Sequence, residues 1–383
     1  MIPTVCLFLL TLLASRASPT KSNSSSPAEP IKIGAVLPFS GGVELYGRQA
    51  RQGLDLAAKE INSGGGILGR PVEIIYEDDK TDPEIAVKAT RKLIESDNVL
   101  AVVGPITSRN LNAIKPEIER AKTPLLYATN YEGGACSRYI FAFGTVPNQE
   151  LAQLLPYMNK TFGNTYYLLG ANHAWPQKMF QAAEPMITAL GGRVVGKEFT
   201  TGKETDFAPL IGRIAATRPK VLLFALKGDG LNFITQAHDL GLFKDTTVAF
   251  LGLSETDIPV FHGKGQNMFV IVPFVASSDA PPVRAFVTKV KAEAGPDATI
   301  SNYVMTHYNA LIAMKAALEK TGKIDKESMI DALEGLAIAS PTGMMTIGKN
   351  HHVTMNLLLA KTQGNSLVTV RALGEIAPEP GCK

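Results

Sequence analysis

The chain has 383 residues, of which 45% are hydrophobic and 19% charged, and its formal net charge is +3. That length exceeds a typical single domain and predicts two lobes, while the composition excludes extensive disorder beyond the ends. Basic residues are scattered without a run, which argues against a nucleic-acid partner.

Residues 5–13 form an apolar core, followed by Ala14-Ser15-Arg16-Ala17 with small residues suited to cleavage. Residues 1–17 therefore read as a secretory signal peptide, although a basic stretch before the core is missing. The apolar run is too short to cross a bilayer, and no later stretch approaches 18 apolar residues, so no membrane span is expected in the mature chain. Residues 18–30, rich in Ser and Pro, read as a flexible leader. Cys6 lies within the signal, leaving Cys136 and Cys382. In an oxidising compartment two cysteines invite one disulfide, and two unrelated thiols are the alternative.

The first strand is expected at 31–37, stopped by Pro38, and a helix at 46–62 carries Ala50, Leu54, Ala57, Ala58 and Ile61 at helical spacing. Gly64, Gly66 and Gly69 match GxGxxG in form. The pattern follows a helix and precedes the strand at 72–76, the reverse of a dinucleotide site, so it reads as a helix end and turn. The acidic loop 77–83 lacks calcium-loop spacing, and Asp82-Pro83 reads as the start of a helix at 84–95. Residues 98–133 are the stretch around which the chain is organised. Apolar runs at 99–103 and 124–127 flank a helical segment at 110–121, which predicts a βαβ unit in a buried parallel sheet. A strand at 139–143 follows. The pattern then restarts, with strands at 166–170, 194–199, 221–226, 247–251 and 268–272 and helices at 177–190, 207–217 and 231–240. Helices at 285–294, 303–321 and 326–336 are expected to return to the first lobe, and strands at 344–347, 354–361 and 367–371 close the chain. The fold class is α/β, with lobe 1 at 31–146 plus 276–338 and lobe 2 with hinge crossings at 147–275 plus 339–383.

There is no nucleophile elbow, P-loop, HExxH or CxxC. His351-His352 are adjacent on an expected strand and point different ways, so a shared metal is not expected. No cofactor is called for, and the chain does not read as an enzyme. What stands out is a set of polar and aromatic residues after strand ends, where small ligands sit in open α/β sheets. Ser40, Ser108 and Thr129 follow strands of the first series. Asn172, His173 and Trp175, then Lys227-Gly228-Asp229, then Ser254-Glu255 follow strands of the second. If the lobes face each other, these loops line one cleft. Ser108 lies near a helix start that favours an anionic or oxygen-rich group. Tyr127, Tyr131 and Trp175 are candidates to wall the ligand, Lys227 to pair with an anion, and Glu255 to accept from an amine or amide. Each has a structural alternative: capping for Ser108 and Thr129, core packing for Tyr127 and Trp175, solvation for His173 and Lys227.

Three segments carry a resemblance. They are the opening Ile33-Gly34-Ala35-Val36-Leu37-Pro38-Phe39-Ser40-Gly41, the 53–62 helix with Gly65-Gly66-Ile67-Leu68-Gly69-Arg70-Pro71, and Val102-Val103-Gly104-Pro105. Together they resemble the type I periplasmic solute-binding proteins of branched-chain amino acid uptake systems, over nearly all of 31–371. Tyr131-Glu132-Gly133, Cys136-Ser137 and Pro147-Asn148-Gln149 are similar to the urea- and short-amide-binding branch. The resemblance implies two Rossmann-like lobes joined by three crossings, closing on a small ligand held by Ser108, Tyr127 and Thr129, with His173 and Trp175 in the loop that usually offers an aromatic. His173 stands where the amide branch carries tyrosine, and Lys227 where a small or polar residue is usual. Glu255 resembles the acid that meets the amine in amino-acid binders. The expected protein is a periplasmic monomer that captures an amino acid, urea or short amide and delivers it to the membrane permease of an ABC importer. A small-carboxylic-acid binder, aromatic acids included, an amide sensor acting on a regulator, and an amide hydrolase are the alternatives.

Overall fold

A computed structural model describes residues 1–2, 28–201 and 204–382. The expected signal peptide, beyond its first two residues, and nearly all of the leader lie outside these.

Strand β1 (Ile31–Leu37) is buried along almost its whole length, as a central strand covered on both faces must be. Helix α1 (Glu44–Ser63) buries Tyr46, Ala50, Leu54, Ala57 and Ile61 along one stripe. Its Gly53 lies so close to a later helix that a Cβ there would stand 2.1 Å from the Val304 carbonyl oxygen. The turn after α1 is structural: Gly66 has φ +80° and a Cβ would meet the Arg70 carbonyl. Strand β2 (Val72–Asp78) leads to α2 (Pro83–Arg91), where Asp82 accepts from the Glu84 and Ile85 N–H groups and Pro83 opens the helix, as its type and place predict. A π-helical turn at Lys92–Ser96 replaces the expected last turn of that helix. Then come β3 (Ala101–Val103), α3 (Ser108–Arg120), β4 (Leu125–Tyr127) and β5 (Ile140–Ala142). The five strands form one parallel sheet in the order β2-β1-β3-β4-β5.

Helix α4 (Pro147–Phe162) has no counterpart in the sequence reading. Pro147 stands in the first turn, where a proline sacrifices no hydrogen bond, Pro156 lies inside the helix, and Leu151, Leu154, Leu155 and Met158 make a buried face. The second sheet follows: β6 (Thr165–Ala171), α5 (Ala174–Ala189), β7 (Arg193–Thr200), α6 (Ala208–Thr217), β8 (Val221–Ala225), α7 (Asn232–Asp239), β9 (Thr247–Phe250) and β10 (Phe269–Val272). Helices α8 (Pro281–Ala294), α9 (Asn302–Thr321) and α10 (Lys326–Leu333) return to the first sheet, with α9 packed on α1 and α10 on α9. The chain then crosses back into β11 (Ala337–Ser340), β12 (Gly343–Ile347), β13 (Val353–Gln363) and β14 (Ser366–Ile376). The second sheet runs β11-β12-β13-β10-β9-β8-β6-β7, with β14 on β13. Strands β6 to β10 pair in parallel, while β11 to β14 extend the sheet antiparallel from β10. Strand order reverses beside β1 in the first sheet and beside β6 in the second, so each sheet opens a crevice at its carboxyl edge.

The chain passes between the sheets three times, after β5, β10 and α10. A fourth tie is covalent. Cys136, between β4 and β5, is bonded to Cys382, beyond β14 (S–S 2.08 Å). Beside it the Gly134 N–H donates to the Pro380 carbonyl, and Asn148 bonds the backbone of Ala377 and Glu379. Among the described residues no helix is long and apolar enough to cross a membrane.

Candidate functional site

The carboxyl ends of the two sheets face each other across a cavity of about 80 Å³ lined by residues from both. Ser108, Thr129, His173, Trp175 and Lys227 all reach it, joined by Val43, Tyr46, Ile106, Thr107, Asn130 and Tyr303. The strand–turn–helix units put them there. Thr107 caps α3 by accepting the Asn110 N–H, so Ser108 opens that helix at the cavity wall. His173 is the residue before α5, and Trp175 sits in the helix's first turn rather than in a loop as expected.

Several expected contacts, among them Tyr131, Asn172 and Ser254, are not at the cavity. Tyr127 is fully buried in the first lobe, donating its hydroxyl to the Ile106 carbonyl at 3.2 Å and packing edge-on against Tyr131. Asp229 lies exposed on a 3-10 turn (Gly228–Leu231). Glu255 turns away: one carboxyl oxygen accepts the Ala276 N–H at 2.9 Å, and the residue borders a separate cavity with Ser277, Lys291 and Thr299. The carboxylate that does face the lysine is Asp257, two positions on, at the start of the 3-10 turn Ile258–Phe261. Ser40 is likewise spent elsewhere, donating to Asp78 at 2.8 Å.

Asp257 has no solvent exposure and is saturated with donors. It accepts from the Tyr46 hydroxyl, from Lys227 Nζ at 2.7 Å, and from the Ser254 N–H and hydroxyl at 2.8 and 3.1 Å. Lys227 Nζ also donates to the Gly252 carbonyl at 2.6 Å and lies 4.9 Å from the centre of the Tyr46 ring. Burial, with Asp257 beside it, raises the Tyr46 phenol well above its ordinary value. On the opposite side Ser108 donates to Glu132 at 2.6 Å, and Glu132 lies 3.5 Å from Lys178 of α5, an ion pair that bridges the two sides of the cleft. Burial lowers the His173 imidazole below its ordinary value, against the opposing pull of Glu132.

Two polar atoms at the wall stand out: Thr129 Oγ1 and Trp175 Nε1 are buried without a hydrogen-bond partner. Such atoms are costly unless something pairs with them. Tyr46 and Tyr303, with rings 5.1 Å apart, were missed by sequence reasoning because each opens a helix whose pattern reads as core. The two histidines at 351–352 have structural partners: His351 meets the Ser137 carbonyl and Glu334, each at 3.0 Å, and His352 meets the Tyr131 hydroxyl at 2.5 Å.

With this geometry, comparison with known proteins is informative. The sequence matches the periplasmic binding protein family over residues 30–366. The chain belongs to that family. Among curated relatives, the Leu/Ile/Val-binding protein BraC3 of Rhizobium johnstonii is 27% identical over 332 residues, covering 85% of this chain and 89% of that protein. Two solved structures share the fold with a TM-score of 0.84 each. One is a Rhodopseudomonas palustris solute-binding protein in complex with benzoate, 20% identical, covering 92% of this chain and 99% of that one. The other, from Rhodopseudomonas palustris HaA2 in complex with p-hydroxybenzoic acid, is 22% identical, covering 92% and 98%. These relatives are themselves binding proteins.

Proposed function

We propose that this binding protein captures a small carboxylic acid with an apolar, aromatic-sized body and presents it to the permease of an ABC importer. The observation that carries this reading is the charge of the wall. Among the described residues lining the cavity there is a lysine but no acid. The nearby Asp257 is occupied by four donors, and Glu255, the expected ammonium partner, faces elsewhere. An α-ammonium would meet no carboxylate among the lining residues, Glu132 behind Ser108 being engaged with that hydroxyl and with Lys178, and burying it unpaired is costly. A carboxylate would find the Thr129 hydroxyl and the Trp175 indole N–H unpaired, and the positive end of α3 at Ser108. Val43, Ile106 and the rings of Tyr46, Trp175 and Tyr303 supply apolar walls.

Branched-chain amino acids are the second reading, favoured by the name of the relative BraC3. Urea and short amides rest on the Tyr131-Glu132-Gly133 likeness, and in this structure those side chains are engaged with His352 and Ser108. A thermal-shift and calorimetric panel of benzoate, 4-hydroxybenzoate, leucine, isoleucine, urea and acetamide separates the three. A ligand at 100 times its Kd stabilises by about 2.7 kcal/mol. Binding of the aromatic acids with no response to the others is expected. Leucine or isoleucine binding without acid binding would overturn the proposal. Opening and closing about the three crossings would then couple capture to docking.

A further inference from the structure

Glu150 is a buried carboxyl that the ligand reading does not use. It lies in the first turn of α4, 3% exposed, and accepts the Thr145 hydroxyl. Its other hydrogen-bonding neighbour is Asn130, whose side chain lines the ligand cavity. The charged and titratable groups that face it are Lys227 and, from α9, Tyr303, both also at the cavity wall. Asp257 lies beyond Lys227. One lysine therefore serves two buried carboxyl groups.

We infer that Glu150 acts as a proton-coupled positioning residue, its carboxyl taking up a proton when an anionic ligand enters the cavity. The inference rests on the carboxylate reading above. A bound carboxylate would make three acidic groups around one ammonium among buried side chains, and like charges at short range cannot all stay ionised. Asp257 already accepts from an ammonium and three further donors. Glu150, with a hydroxyl and an amide, is the group that gives way. Burial already raises it to about 7, with Thr145, Asn130 and Lys227 opposing. Once protonated, its O–H can donate, so the Asn130 amide is free to rotate its polarity toward the ligand.

The sign of the pH dependence follows. An anion raises the pKa of Glu150 further, so binding consumes a proton above pH 7 and none well below it. The benzoate Kd should level off just below pH 7 and rise roughly fivefold from pH 7 to pH 8. Calorimetry of the intact protein with benzoate, in buffers of different ionisation heat at pH 7.5, should show uptake of roughly half to one proton. In Glu150→Gln that uptake should vanish and the affinity should stay at the acid-pH plateau. His173 also faces the cavity, but burial holds it below its ordinary value, so its uptake belongs at lower pH and survives this substitution. Should Glu150→Gln not fold, the proton count on the unaltered chain decides alone. Benzoate binding without proton uptake, or with an uptake at pH 7.5 unchanged in Glu150→Gln, would overturn the inference while leaving the carboxylate reading intact. Failure of every acid to bind at any pH would remove both.

Discussion

The two walls of the cavity are built by the same device and carry different chemistry. On the first-sheet side, loops after β3 and β4 deliver Ser108, Thr129 and Asn130, all uncharged, with Tyr46 and Tyr303 from α1 and α9 beside them. On the second-sheet side, the ends of β6 and β8 deliver His173, Trp175 and Lys227. Hydroxyls and an amide adapt to many oxygen-bearing groups, whereas an ammonium, an imidazole and an indole select among them. The first wall thus sets where a polar head can sit, and the second sets which charge it can carry. The Lys227–Asp257 pair marks the contrast: a buried ion pair is placed on the selecting wall, tied by Tyr46 to the adaptable one.

The sharpest way to break this comparison is Lys227→Met. It strands a fully buried Asp257, which should cost about 3–5 kcal/mol in urea denaturation. Adding Asp257→Asn should restore most of that stability while acid binding stays lost. A single variant as stable as the parent would show that the pair is not buried in solution. Next in size is the covalent tie between the walls. Cys382→Ser should lower stability by about 2–5 kcal/mol, and reductant should shift the parent's thermal midpoint to the variant's while leaving the variant unmoved. Midpoints that do not converge would mean that the bond is absent in the purified protein. The smallest effect sharpens the adaptable wall. Thr129→Val removes a hydroxyl that has no partner without ligand, so stability should hold or rise slightly. Benzoate affinity should fall by about 1–3 kcal/mol in the same variant. Loss of stability with unchanged affinity would assign Thr129 a structural role instead.

Much of the scaffold was legible because its signals are local. Short apolar runs ending in turns gave the strands, and the residues just past them gave Ser108, Thr129, His173, Trp175 and Lys227 as neighbours. What escaped was non-local. Which of Glu255 and Asp257 faces inward depends on a 3-10 turn and on Lys227, thirty residues away on another strand end. Tyr46 and Tyr303 lie at opposite ends of the chain and meet only because α9 packs against α1 through Gly53. Glu150 was hidden with α4, whose prolines mask a regular apolar face. The pairing of two cysteines could not be read from spacing at all.

That pairing has a consequence for assembly in time. The bond spans 246 residues, so one sulfur belongs to a loop made early and the other to a segment made after every strand of both sheets. Without its distant partner Cys136 would be left as an unpaired thiol, and a free thiolate can exchange with other disulfides. The loop that carries Asn130 and Glu132 therefore receives its last restraint only when the rest of the chain is already in place.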